Sequence, residues 1–303
     1  MKSTGCPQRN SNANSELIIK MKKVAIITGA DGGMGQVHTQ TVALAGYHVI
    51  MACHHADKAQ HVCDRIRKET DGDIEVIQLD LASFSSIYAF AKEIKTRFNH
   101  LDLLLNNAGT LLHHAGTTAD GIERTVGVNY LGHYLLTQQL KTLMPNGSRI
   151  VNMVSLTFRF GKINHDLFTP VDQKHFNRFT TYSDSKLALL YFTLDMAQEL
   201  NNKGILVNCA DPGIVNTNII RMGNKVVDKL CDWFFRPIIY QPPKGASTML
   251  YLALDENVTT TGGCYARKKQ VKLKKELLDS PYRPLLKKKT DKIIEKITNN
   301  LVI

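Results

Sequence analysis

The sequence predicts an α/β fold: a single-domain, doubly wound parallel sheet with helices on both faces. Short β-branched runs recur along the chain, separated by stretches long enough for amphipathic helices. A length of 303 residues, with 43% hydrophobic and 21% charged positions and 9 Pro against 20 Gly, suits one large domain with appendages. No fixed-period repeat points to a solenoid.

Taken in order, residues 1–20 are mostly small and polar and read as a disordered tail, with Met21 just before the first apolar run. Residues 23–28 (KVAIIT) read as a strand buried on both faces. Similar runs follow at 48–52, 74–78, 101–105, 149–154 and 205–209, which makes six predicted strands. A helix is expected through 38–45 and another over 187–200. We assign residues 21–266 to the domain and 267–303 to a basic extension ending in a helix, whose Ile293, Ile294, Ile297 and Leu301 share one stripe.

Charge and cysteine usage narrow the function classes. The chain carries 38 Lys and Arg against 27 Asp and Glu, a net +11, of which residues 267–303 hold +8 (12 basic, 4 acidic). The main body is therefore nearly neutral. No series of stacking aromatics is interleaved with the charge of the basic extension, which argues against nucleic acid; docking on the body is its default role, with pairing to a second subunit or peripheral membrane contact as alternatives. Six scattered cysteines without a CxxC pair read as reduced thiols, and no secretory or membrane-spanning run is seen, so a cytoplasmic location is expected.

Directly after the first strand comes Thr28-Gly29-Ala30-Asp31-Gly32-Gly33-Met34-Gly35. A glycine-rich turn between strand and helix lets backbone approach a pyrophosphate, while the helix N-terminus offers N–H donors, so the position predicts a dinucleotide site. At the end of the second strand an acid would bind the ribose of NAD, whereas a basic group would favour NADP. The chain has Cys53-His54-His55 there, so NADP is expected, with His54 or Lys58 as donors to the 2′-phosphate. Farther on, Tyr182 and Lys186 are spaced i, i+4, which puts a phenol and an ammonium on one helix face.

Together these residues resemble the short-chain dehydrogenase/reductases, in particular the retinol-dehydrogenase-like branch. Thr28-Gly29 with Gly33 and Gly35 matches that family's cofactor turn, and Asp80-Leu81 its adenine-contacting pair. Asn107-Ala108-Gly109 matches the motif that stabilises the sheet beside the cofactor. Pro212-Gly213, Val215 and Thr217 match its Pro-Gly motif, whose threonine meets the nicotinamide carboxamide. The resemblance implies a Rossmann fold and an Asn129, Ser155, Tyr182 and Lys186 catalytic tetrad. In it Tyr182 exchanges the proton, Lys186 lowers its pKa and binds the nicotinamide ribose, Ser155 meets the substrate oxygen and Asn129 holds a water. Two departures stand out: related sequences commonly have Arg where His54 stands and His where Asp211 stands.

The implied reaction is hydride transfer between a nicotinamide and a hydrophobic secondary alcohol, ketone or aldehyde of steroid, retinoid or fatty type. Apolar residues between 218 and 240 suggest a lid or a packed helix, and Leu111, Leu112, His113 and His114 an opposite wall. The paired histidines lack zinc-site spacing, so no metal is expected. Relatives of this fold often form homo-oligomers. The rival reading is a protein that binds and senses NAD(P) without turnover.

Overall fold

The structure, a computed structural model, describes residues 22–213 and 241–301. The expected tail over 1–20, the apolar segment over 218–240, and Val215 and Thr217 lie outside the described residues. Among the described residues, eight strands form one sheet: β1 (Val24–Thr28), β2 (His48–Cys53), β3 (Ile74–Gln78), β4 (Leu103–Asn106), β5 (Arg149–Met153), β6 (Leu206–Asp211), β7 (Cys264–Ala266) and β8 (Lys269–Gln270). Their order is β3-β2-β1-β4-β5-β6-β7-β8, parallel throughout except the β7–β8 hairpin. The order reverses between β1 and β4, and in such sheets a crevice opens at that point beyond the carboxyl ends of the strands.

Both faces of the sheet are covered because both faces of its strands are apolar. Val24 and Ile26 of β1 point into one core with Ile50, Leu104 and Ile150. Ala25 and Ile27 point into the other with Val49, Met51 and Leu105. Helices α1 (Gly33–Leu44), α2 (Ala56–Thr70) and α6 (Pro242–Leu254) cover the second core through Val42, Ile66 and Met249. The first is covered by α3 (Phe84–Arg97), α4 (His133–Leu140 with the turns before it) and α5 (Arg178–Leu200).

The backbone departs from the sequence expectation in three places. Strands β7 and β8 are only three and two residues long, and exposed Lys269-Gln270 has no apolar run to announce it. Helix α5 begins four residues before Tyr182, because Asn177 caps it by accepting from Phe179 and Thr180 N–H, each at 3.1 Å. Ahead of α4, residues Gly127–Gly132 wind as a π-helix. A Cβ on Gly132 would stand 2.5 Å from Leu81 O, so this glycine allows the π segment to lie against the Asp80-Leu81 strand end.

After the short α7 (Lys275–Leu278), the extension ends in α8 (Tyr282–Leu301), which lies against the body. Leu286 and Thr290 are buried, and Ile293, Ile294 and Ile297 pack on the first core while Leu301 stays exposed. Tyr130 and Thr290 hydroxyls meet at 2.8 Å, Tyr134 donates to Asp291, and Arg283 pairs with Asp195 at 2.5 Å.

Candidate active site

At the end of β1 the chain turns sharply, and the turn depends on two glycines. Gly29 has φ +61, where side chains with a Cβ are rare. A Cβ on Gly35 would lie 2.1 Å from Gly29 O and 2.8 Å from Ala30 Cα. Only with glycine at both positions does α1 start this close to β1, which leaves its N-terminal N–H groups facing the crevice.

Thr28 and Asn107 hold that turn against the end of β4. The Thr28 hydroxyl oxygen accepts from Asn107 N–H at 3.0 Å and Ala108 N–H at 2.9 Å. The Asn107 amide donates to Thr28 O at 2.8 Å and Gly29 O at 3.2 Å. With both lone pairs engaged, the Thr28 proton goes to His133 Nε2 at 3.0 Å, nearer than Leu105 O at 3.4 Å. That makes Nδ1 the protonated nitrogen of His133, and it donates to Asn129 O at 3.3 Å. Burial pushes the His133 pKa down to about 3, so the ring is neutral. His133 thus links the phosphate-side turn to Asn129, a role its place in the sequence motif did not reveal.

A groove of about 270 Å³ extends from this turn toward β2 and β3. Gly29, Asp31, His54, Asp80, Leu81, Ala108, Gly109 and Arg124 are among the residues that line it. Asp80 is held by Ala82 N–H at 2.8 Å, and His54 Nε2 lies 3.3 Å from its other oxygen. Asp31 reaches the Cys53 thiol at the tip of β2. Met34 is partly buried behind the turn, and Gly33 faces Pro242.

The second half of the site gathers at the carboxyl ends of β4 and β5. Lys186 is 2% exposed, and its ammonium donates to Met153 O at 2.8 Å and lies 5.5 Å from the centre of the Tyr182 ring. Burial lowers its pKa to about 8, against the opposing pull of Asp211. Tyr182 hydrogen-bonds to Ser155; burial and then Asp211 push its pKa up to about 12, the reverse of the lowering expected from Lys186. Buried Asn129 accepts from Thr110 N–H at 2.7 Å and donates to Thr110 O at 2.9 Å and Ser185 Oγ at 3.0 Å. A Cβ on Gly109 would come within 3.4 Å of Asn129 Oδ1 and 3.5 Å of Lys186 Nζ, so the two halves meet there.

Pro212 and Gly213 follow β6 at the same edge. Leu112 lines the groove, whereas exposed His113 pairs with Arg178 Nη1 at 3.1 Å, and Arg178 also donates to Leu111 O at 3.3 Å. Ser185, Thr110 and Arg178 carry no signal in a single sequence, since their contacts come from chain segments far apart. A turn without room for Cβ atoms, beside an apolar-floored groove, fits a pyrophosphate dinucleotide.

Comparison with known proteins agrees with this geometry. Residues 23–226 match the short chain dehydrogenase family. The chain belongs to that family. The dehydrogenase is 38% identical over 249 residues to retinol dehydrogenase 11 of Mus musculus, covering 80% of this chain and 77% of that protein. It is 34% identical over 255 residues to polyprenol dehydrogenase of Homo sapiens, covering 80% and 76%. A crystal structure of an uncharacterized protein from Mycobacterium Paratuberculosis superposes with a TM-score of 0.72 at 26% identity, over 90% of this chain and 93% of that one. These relatives place the dehydrogenase in the retinol-dehydrogenase-like branch. It is an oxidoreductase that acts on CH–OH and C=O groups with a nicotinamide cofactor.

Proposed function

We propose that this dehydrogenase moves a hydride reversibly between NADP and a hydrophobic secondary alcohol, ketone or aldehyde of steroid, retinoid or fatty type. The observation that carries the reading is the meeting of Tyr182, Lys186, Ser155 and Asn129 beside the glycine turn. Retinol and polyprenol dehydrogenases among the relatives support an apolar alcohol.

Residues from Thr28 to Gly35, with Asp80, Leu81, Asn107, Ala108, Gly109, Pro212 and Gly213, would hold the cofactor. The bound nicotinamide supplies the hydride donor or acceptor. Tyr182 gives its proton to the substrate oxygen in reduction and takes it back in oxidation. Lys186, an ammonium at neutral pH, stabilises the phenolate electrostatically and binds the nicotinamide ribose. Ser155 donates to the substrate oxygen where negative charge develops. Asn129, braced by Thr110 and Ser185, orders the water that connects Lys186 to solvent. Because the Tyr182 phenol is held protonated, oxidation accelerates as pH rises and reduction slows.

NADP preference rests on the lack of a carboxylate immediately after β2 and on His54 facing the groove. A second reading, NAD, is favoured by Asp31 at the tip of β2 and by His54 being engaged with Asp80. Comparing kcat/KM for NADPH and NADH decides between them. Under the NADP reading His54→Asp reverses the preference; under the NAD reading Asp31→Asn weakens NADH use.

The test of the enzyme itself follows nicotinamide absorbance over a panel of retinoid, steroid and aliphatic carbonyls and alcohols. Turnover of one apolar class is expected, falling roughly 10²–10⁴-fold in Tyr182→Phe with cofactor binding intact. An unchanged rate in that variant overturns the assignment; tight binding with no turnover in either direction favours the sensing protein.

A further inference from the structure

Asp211 ends β6 and is 5% exposed, yet the proton transfer described above does not use it. Its position follows from the sheet. Strands β5 and β6 run side by side with Met153 opposite Ala210, and Val154 N–H donates to Ala210 O at 3.0 Å. Beyond that last rung the carboxylate takes over. One oxygen accepts from Leu156 N–H at 2.9 Å, next to Ser155; the other accepts from Gly213 N–H at 3.1 Å, just past Pro212.

Its charge also reaches the reacting groups. Tyr182 and Lys186 on α5 feel it. Among the described residues, Arg159 after β5 and Arg267 after β7 face it as cations, and the Cys209 thiol lies on its own strand. Burial raises the Asp211 pKa above the ordinary carboxylate value, and the two N–H donors with Arg159 and Arg267 offset that rise only in part.

We propose that Asp211 is a positioning residue: it ties the Ser155 segment to the Pro212–Gly213 turn and sets a fixed negative charge beside Lys186 and Tyr182. The kinetic consequence rests on the dehydrogenase reading above. A nearby anion favours the Lys186 ammonium and disfavours the Tyr182 phenolate, so it holds both protons in place. Removing the charge therefore moves both titrations to lower pH.

Asp211→Asn keeps the shape and one acceptor but loses the charge. Two readouts test it: the pH profile of kcat/KM for oxidation, and the titration of Lys186 followed by NMR of ¹³Cε-labelled lysine in the cofactor-free protein, with Lys186→Met as the assignment blank. In Asp211→Asn the oxidation limb and the Lys186 titration are both expected to move down by about one pH unit. Asp211→Glu, which keeps the charge but displaces the acceptors, is expected to hold both near wild type while kcat falls. Unchanged titration and limb in Asp211→Asn overturn the proposal. A shifted Lys186 titration in a protein without turnover would sustain the electrostatic role and sink the enzyme reading; turnover lost in Tyr182→Phe with nothing shifted in Asp211→Asn would do the reverse.

Discussion

Two glycines two residues apart, Gly33 and Gly35, separate backbone need from cofactor need. At Gly35 a Cβ meets backbone atoms at 2.1 and 2.8 Å, which cannot step aside. Gly35→Ala is therefore expected to destabilise the protein by ~1–3 kcal/mol even without cofactor, read as a lower urea midpoint. At Gly33 the nearest atom to a Cβ is Pro242 Cγ at 3.5 Å, an ordinary contact. Gly33→Ala is expected to leave stability in urea within about 0.5 kcal/mol and to weaken cofactor affinity, measured by fluorescence titration. Equal destabilisation by both would remove the distinction. The glycines were legible in the sequence, but which of them is needed by the fold depends on what lies across the turn.

At the scale of elements, α8 and the start of α5 decide how the site is supported. Leu286 is 3% exposed between α8 and the first core, so Leu286→Ala is expected to cost about 2–5 kcal/mol in chemical unfolding. A loss below about 1 kcal/mol would mean that α8 is not docked as the hydrogen bonds of Thr290 and Arg283 indicate. The Asn177 cap sets where α5 begins, one residue before Arg178. Asn177→Ala is expected to lower stability by about 1 kcal/mol and to raise KM for the carbonyl substrate more than it lowers kcat, since Arg178 holds the Leu111–His113 segment. The periodicity that announced α5 could not place its start, because the first turn has no buried residue and the cap alone defines it.

For the whole molecule, two buried histidines make stability fall with acid. Burial lowers the pKa of His38 to about 4 and that of His133 to about 3, from an unfolded value near 6.5. Below pH 6.5 the unfolded chain takes up two protons that the folded protein refuses, so stability falls as pH drops toward 4. The slope approaches about 1.4 kcal/mol per pH unit for each histidine. Unfolding titrations between pH 7 and 4.5 check this, and His38→Asn is expected to remove the share of the slope that His38 contributes. The raised carboxylates Glu123, Asp184, Asp195 and Asp211 oppose that slope, so the variant decides: an unchanged slope in His38→Asn would contradict neutral burial of that ring.

The sequence by itself determined the α/β class, six of the eight strands, the glycine turn and the Tyr182–Lys186 spacing, because each is local: two-sided apolar runs, a turn residue, an i, i+4 face. Strands β7 and β8 escaped it because segments so short become strands only by pairing, β7 with β6 and exposed β8 with β7. Tertiary structure alone decided that His54 meets Asp80, that Asp31 reaches the tip of β2, and that His133 joins Thr28 to Asn129. It alone showed what Asp211 touches. Hydrogen bonds and buried charges act between groups brought together from distant parts of the chain, and no spacing along the sequence encodes their approach.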